Sequence, residues 1–406
     1  MRKVLPYLFI LFFMSNCVEE IDIKSFTYED NLVVEAFITN ELKYNTVKLQ
    51  RTIPLDTDTP KFESNAIVTV VENNQTEYSF SETSTGIYTS NIMFKAKEGN
   101  TYQLKIKTTK GDEYESSPQK IEGINDIDNI IPEVDFDKFG TEGAKIVIQS
   151  QSSNKDAKYY RYSYEETYKI IAPRWSQYKL TIVSENIPFK VKKEWNPDAV
   201  NSKVCYKTLN STDIIQAETN TLIENNLAFP IKFIDKEDFS ISRRYSILVK
   251  QYVQSYEGYT YYKTLNKLSS SSSVFTSNQP GFIPGNINQV NDASKKVLGF
   301  FEVNSVSEKR IFFNHTDIFP EHYINTRKSC LVYAPPLTEY FVDKQGNLIP
   351  DKEFSPLIEL LKAGLLYYED NKTITLDNPG TYRIVKKRCG DCRVYGSNIK
   401  PDFWID

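Results

Sequence analysis

From Leu32 to Ser116 the chain alternates apolar and polar residues in short runs divided by turn residues. LVVEAFIT (32–39) is mostly apolar, and TVKLQRT (46–52) sets Val47 and Leu49 against Lys48 and Gln50. AIVTVVE (66–72) and TEYSF (76–80) follow, and TYQLKIKTT (101–109) separates Tyr102, Leu104 and Ile106 from Gln103, Lys105 and Lys107. A two-residue period turns one face of a strand to a core and the other to water. Lys110-Gly111-Asp112 then turns the chain into EYESS. No helical period interrupts these runs, so residues 31–121 are predicted to form an immunoglobulin-like β-sandwich, a module that serves as spacer or binding scaffold.

The pattern lapses over EGINDIDNIIPEVDFDKF (122–139), which is acidic, contains Pro132 and reads as a linker running into the leading strand of a second domain, 140–406. That domain is again β-rich: AKIVIQSQS (144–152), YYRYSYEETYKII (159–171), YKLTIVS (178–184) and RRYSILVKQYV (243–253). One helix is predicted, over SYEGYTYYKTLNKLS (255–269). Ser255 is its N-cap, and Tyr261, Leu265 and Leu268 share one face, although Gly258 weakens it. The serine run 269–273 and QPGFIPGNI (279–287) form a loop, followed by VLGFFEV (297–303) and KRIFFN (309–314). The fold class is therefore all-β, a sandwich followed by a larger β-rich domain with one short helix.

At the N-terminus Arg2 and Lys3 precede an apolar run from Val4 to Met14. A membrane-spanning helix needs roughly 20 apolar residues, so residues 1–16 read as a secretory signal peptide. Met14, Ser15 and Asn16 before Cys17 resemble a bacterial lipobox, which makes Cys17 the expected lipidation site and 17–30 a lipidated tether. Glu19, Glu20 and Asp22 resemble the export signal of surface-exposed lipoproteins, so the expected location is the outer membrane, on the cell surface rather than the periplasmic leaflet.

Loss of residues 1–16 removes Arg2 and Lys3 and no acid, leaving 47 basic residues against 53 acidic ones. Nucleic acid is not an expected partner, because phosphate neutralisation needs clustered cations. Four cysteines remain after Cys17: Cys205, Cys330, Cys389 and Cys392. An even number in an exported chain points to two disulfides, with three connectivities open. In RCGDCRVYGSNIKPDFW (388–404) the C-x-x-C pair is preceded by YRIVKK and followed by a proline-bearing stretch. It reads as strand, turn and strand without the helix a redox pair uses, and hence as a staple. Gly396 is its turn residue, and Phe403 with Trp404 its apolar plug.

No chemistry-bearing motif is present. His315 and His322 are the two histidines, and they read as loop hydrogen-bonders. Glu165 and Glu166 are adjacent on a strand and face opposite ways, so one is expected to pair with a base and the other to be solvated. Asp56 with Asp58, and Asp126 with Asp128, lack the remainder of a calcium loop. No cofactor or metal is expected. Tyr159, Tyr160, Tyr162, Tyr164 and Tyr168, with Trp175, cluster around Arg161. Alternation should expose part of this row, making Tyr160, Tyr162, Tyr164 and Trp175 candidate binding aromatics, with cross-strand packing the alternative.

CVEEIDI, LVVEAFIT, YYRYSYEETYKI, the Tyr-rich helix, QPGFIPGNI with VLGFFEVNSVSEKRIFF, and CGDCRVYGSNIKPDFW together resemble a domain-of-unknown-function family of outer-membrane lipoproteins. Members of that family accompany TonB-dependent receptors of the SusC type. The resemblance implies a non-enzymatic surface lipoprotein, accessory or ligand-capturing partner of such a β-barrel. The alternatives are a structural or biogenesis subunit of an outer-membrane complex and a polysaccharide-active enzyme.

Overall fold

The computed structural model describes residues 29–54, 57–151, 156–220, 226–270, 282–292, 294–369 and 380–406. The signal peptide, Cys17, nearly all of the tether, Asp56 and Ser271–Ser273 lie outside the described residues.

The N-terminal region holds β1 (Leu32–Thr39), β2 (Thr46–Arg51), β3 (Lys61–Phe62), β4 (Ile67–Glu72), β5 (Thr76–Ser84), β6 (Ile87–Ser90), β7 (Thr101–Lys107), β8 (Glu113–Ser116) and β9 (Gln119–Lys120). Neighbours run in the order β1-β2-β6-β5-β4-β7-β8 and form an open, all-antiparallel sheet around one core, as expected of a sandwich. Alternation decides the facing. On β2 and β7 the buried residues are Val47, Leu49, Tyr102, Leu104 and Ile106, while Lys48, Gln103 and Lys105 are half-exposed.

The second region holds β10 (Asn129–Phe136), β11 (Glu142–Gln151), β12 (Tyr159–Ile171), β13 (Tyr178–Ser184), β14 (Lys190–Trp195), β15 (Val204–Asn210), β16 (Ile215–Glu218), β17 (Asn226–Asp235), β18 (Tyr245–Gln254), helix α1 (Tyr256–Ser270), β19 (Ile287–Gln289) and β20 (Val297–Phe313). The segment expected as a linker, 122–139, contains a full strand: β10 pairs with β11 along its whole length. Pro132 is tolerated because β10 is an edge strand whose lost N–H costs no ladder bond.

A boundary at residue 121 does not close the N-terminal unit. β19 pairs with β8, and Val297–Asn304 of β20 pairs in parallel with the whole of β1. The remaining part of β20, from Ser305, pairs antiparallel with β18. One strand thus serves two cores: Phe301 and Val303 pack with Leu32, Leu49 and Leu104, and Phe313 packs with Tyr162, Ile170 and Ile247.

The C-terminal region is assembled from short pieces: α2 (His315–Ile318), β21 (Val332–Tyr333), β22 (Tyr340–Val342), β23 (Leu348–Pro350), α3 (Pro356–Lys362), β24 (Leu366–Tyr368), β25 (Arg383–Val385) and α4 (Lys387–Gly390). The single expected helix is therefore one of four among the described residues. α3 carried a legible signal in SPLIELLKAG, with Ser355 Oγ accepting from Ile358 N, Pro356 in the first turn and Gly364 at φ +84° just beyond its end.

Two disulfides tie this region down, Cys205–Cys392 and Cys330–Cys389. The C-x-x-C cysteines thus bind two distant partners, and the expected strand at the pair is instead the helical turn α4 followed by a 3-10 turn, Cys392–Val394. Gly396 is required by close approach and not by positive φ. A Cβ there would lie 2.3 Å from the Tyr206 carbonyl oxygen, where Ser397 and Tyr206 exchange backbone hydrogen bonds of 2.7 and 2.9 Å. Trp404 docks edge-on against Tyr206 and Phe312 and is 4% exposed, while Arg310 lies over Phe403.

Candidate functional site

The tyrosine row of β12 is structural. Tyr160, Tyr162, Tyr164 and Tyr168 are all even-numbered and so point to the same side, into the second core, where Tyr160 and Tyr162 are fully buried. Tyr160 donates to the Ala157 carbonyl at 2.7 Å, and Tyr162 donates to Gln251 at 3.0 Å and stacks on Phe229. Tyr164 and Trp175 are half-buried, with Lys232 over the first ring and Lys203 over the second. The indole of Trp175 donates to the Ala199 carbonyl at 2.7 Å. The expectation of an exposed row fails because both faces of β12 are covered. Tyr159, on the other face, packs under Tyr256 and Tyr259 of α1.

The helix that covers that face forms a cleft. α1 starts on a Ser255 cap, whose hydroxyl accepts from Gly258 N at 3.1 Å. Gly258, unfavourable for a helix by itself, sits close to β20: a Cβ would make a tight contact, 3.0 Å, with Glu302 Oε1. Tyr261 then packs on Phe300 of β20 with ring centres 5.4 Å apart. The opposite wall is Phe282 to Asn286. Asn286 fixes it by imitating a strand partner, accepting from Phe301 N at 2.8 Å and donating to Phe301 O at 2.9 Å. Gly285 permits the crossing, since a Cβ would meet the Gly299 carbonyl at 1.7 Å.

The resulting cleft has a volume of about 650 Å³, within the range of small-molecule sites. Tyr256, Tyr261, Phe282 and Phe300 give it aromatic walls, and Thr260, Thr264 and Glu257 supply polar groups. Tyr256 is 61% exposed and Phe282 39%, so stacking surface faces solvent. Burial raises the Tyr261 phenol, against a lowering hydrogen bond from the Gly299 backbone. Among the described residues lining the cleft Glu257 is the one carboxylate, whereas glycosidic hydrolysis by the usual route needs two.

Beneath α1 the base is rigid. Arg161 donates to Glu302 at 2.6 Å and lies between the rings of Tyr252 and Tyr262, while Gln254 donates to the second Glu302 oxygen at 2.6 Å. Glu165 and Glu166 do point opposite ways, but both are paired, Glu165 with Arg310 and Glu166 with Lys232 and Tyr245.

His315 and His322 meet elsewhere, Nε2 to Nδ1 at 2.8 Å, with His322 Nε2 also 2.6 Å from Glu237. Burial first, and His322 second, hold the His315 ring below its ordinary value. No group of three or more metal-ligating side chains occurs among the described residues. Asp128 is a backbone cap, accepting from Gln151 N at 2.7 Å.

These features define a disulfide-braced all-β protein whose two cores share one strand, with an aromatic cleft beside it. The chain belongs to the family described as Domain of unknown function (DUF4249), whose model matches residues 18–310. That span contains both walls of the cleft and Cys205, and stops within β20, short of Cys330, Cys389 and Cys392. Comparison with curated proteins finds none that matches the chain.

Proposed function

We propose that the protein is a non-enzymatic lipoprotein of the outer-membrane surface, anchored through Cys17, that captures a ligand or serves as accessory partner for a TonB-dependent barrel of the SusC type. The observation that carries this reading is the solvent-facing aromatic cleft, which offers shape and stacking area but, among its described lining, a single carboxylate. A site of that kind binds without providing the acid and base that bond cleavage requires. Arg2, Lys3, the run Val4–Met14 and Cys17 support the anchor, and Glu19, Glu20 and Asp22 support surface display. The test is purification in mild detergent. A large TonB-dependent β-barrel should come down with the protein, and repeated pull-downs without one would overturn the reading.

A second reading, a structural or biogenesis subunit of an outer-membrane complex, is favoured by the hairpin β22–β23. Tyr340, Phe341, Val342 and Leu348 are each more than half exposed there. Assembly factors in place of a transporter in the same pull-down would select it. For the anchor, Cys17→Ser should move the protein from the membrane to the soluble fraction.

A further inference from the structure

A second cleft, of about 290 Å³, opens at the start of β1 on the N-terminal unit. Asn31, Arg51, Tyr114, Ser294, Lys295 and Lys296 bound it, with Glu29 and Asp30 completing the wall. Of these Arg51, the last residue of β2, is 7% exposed. Arg51 Nε donates to Glu63 at 2.6 Å and Nη1 to the Asp30 carbonyl at 3.2 Å, but Nη2 is buried and makes no hydrogen bond. A buried cationic donor without an acceptor is costly, so an oxygen atom supplied to the cleft would be strongly favoured.

The neighbouring cations are all held by carboxylates. Lys61 and Lys110 pair with Asp30, Lys296 with Glu29, Lys295 with Asp112 and Arg51 with Glu63. Asp292 also lies beside Lys295, so five cations share five carboxylates and the charges balance. Arg51 and the consecutive lysines Lys295 and Lys296 all line the cleft. A tetrahedral anion can accept from several donors of that kind, whereas the two oxygens of a carboxylate lie in one plane.

We propose that this cleft is an oxyanion site for a phosphate group, free or carried as a lipid headgroup. The lipid source rests on the reading of Cys17 as the anchor. Residues 18–28 separate Cys17 from Glu29, and a chain of that length spans at most roughly 40 Å, enough to hold the cleft within reach of a headgroup layer.

The test uses the full chain. Calorimetry with inorganic phosphate in phosphate-free buffer should show saturable binding. Lys295→Gln with Lys296→Gln should weaken it about tenfold, the worth of charge-assisted contacts. Both lysine side chains are about half exposed, so this variant keeps its fold. Arg51→Lys keeps a cation beside Glu63 but removes the free N–H, and should abolish binding. Absence of saturable phosphate binding in the parent chain, or unchanged affinity in the lysine variant, overturns the proposal. Sedimentation of the Cys17→Ser chain with vesicles then identifies the source. Binding to equimolar phosphatidylcholine and phosphatidylglycerol that exceeds binding to phosphatidylcholine alone, and is lost in the lysine variant, assigns the headgroup. No such difference, with phosphate still bound in solution, assigns free phosphate. Calorimetry does not depend on lipidation, so a failed anchor and a failed anion site give different results.

Discussion

The N-terminal unit and the segment beyond α2 are built of the same residue types but held by different means. In the first, β1 pairs along eight positions with β20 and five with β2, and Leu49, Val70, Tyr88, Tyr102 and Leu104 are fully buried without any cysteine in 31–121. In the second, β21, β22, β23, β24 and β25 have two or three residues each, its apolar clusters are small, and both disulfides end there. Long ladders allow one continuous core to supply the stability. Short strands bury too little, and the unfolded chain must instead be restrained covalently.

Reduction should separate the two most strongly. Cys205–Cys392 spans 187 residues and Cys330–Cys389 spans 59, so the chain-entropy model assigns them about 5 and about 4 kcal/mol, less in combination because the loops overlap. Limited proteolysis with and without a thiol should show cuts appearing beyond α2 while the N-terminal unit stays protected; equal loss in both would refute the contrast. Next in size, Trp404→Ala should cost about 3 to 5 kcal/mol, since the ring is 4% exposed and wedged between Tyr206 and Phe312. Near-parental melting would make the C-terminal plug dispensable. Leu104→Ala, in the other region, should cost about 2 to 5 kcal/mol and expose β7 and β4 to hydrogen exchange before α3 is affected.

A smaller effect concerns pH. His315 is buried, faces His322 and lies near Lys236, and its ring is held below the ordinary 6.5. The folded state therefore resists a proton that the unfolded chain accepts. The stability due to this group is complete above pH 6.5 and is lost as pH falls below it. Melting temperature followed from pH 8 to pH 5 should decline in the parent and decline less in His315→Gln. Smallest of all, Tyr256→Ala at the mouth of the aromatic cleft should leave stability within about 0.5 kcal/mol while reducing ligand capture, since this side chain is 61% exposed. A large loss of stability would make Tyr256 a packing residue and weaken the cleft as a binding site.

The contrast also explains what could be read from the residues alone. TYQLKIK and TVKLQR alternate so cleanly that β7 and β2 fell where the pattern put them, and Ser255 with Tyr261, Leu265 and Leu268 marked α1. α3 is equally marked, by Ser355-Pro356 and Gly364, but its seven residues are too few to establish a helical period. The aromatic row misled because the rule that alternate side chains face opposite ways says nothing of what covers each face. Helix α1, a hundred residues on, covers the outer one. The cleft had no local signature, because its walls come from α1, Phe282–Asn286 and β20.

By itself the sequence determined the all-β class, the strand faces of the N-terminal unit, the position of α1 and an even set of bridging cysteines, since period, capping and count are properties of neighbouring residues. Only the tertiary structure decided which cysteines join, that β20 belongs to two cores, that Gly285 and Gly396 are required by close approach, and that Arg51, beside a cleft, keeps a buried N–H without a hydrogen bond. Those depend on residues far apart in the chain meeting at van der Waals distance, and local patterning carries no record of such encounters.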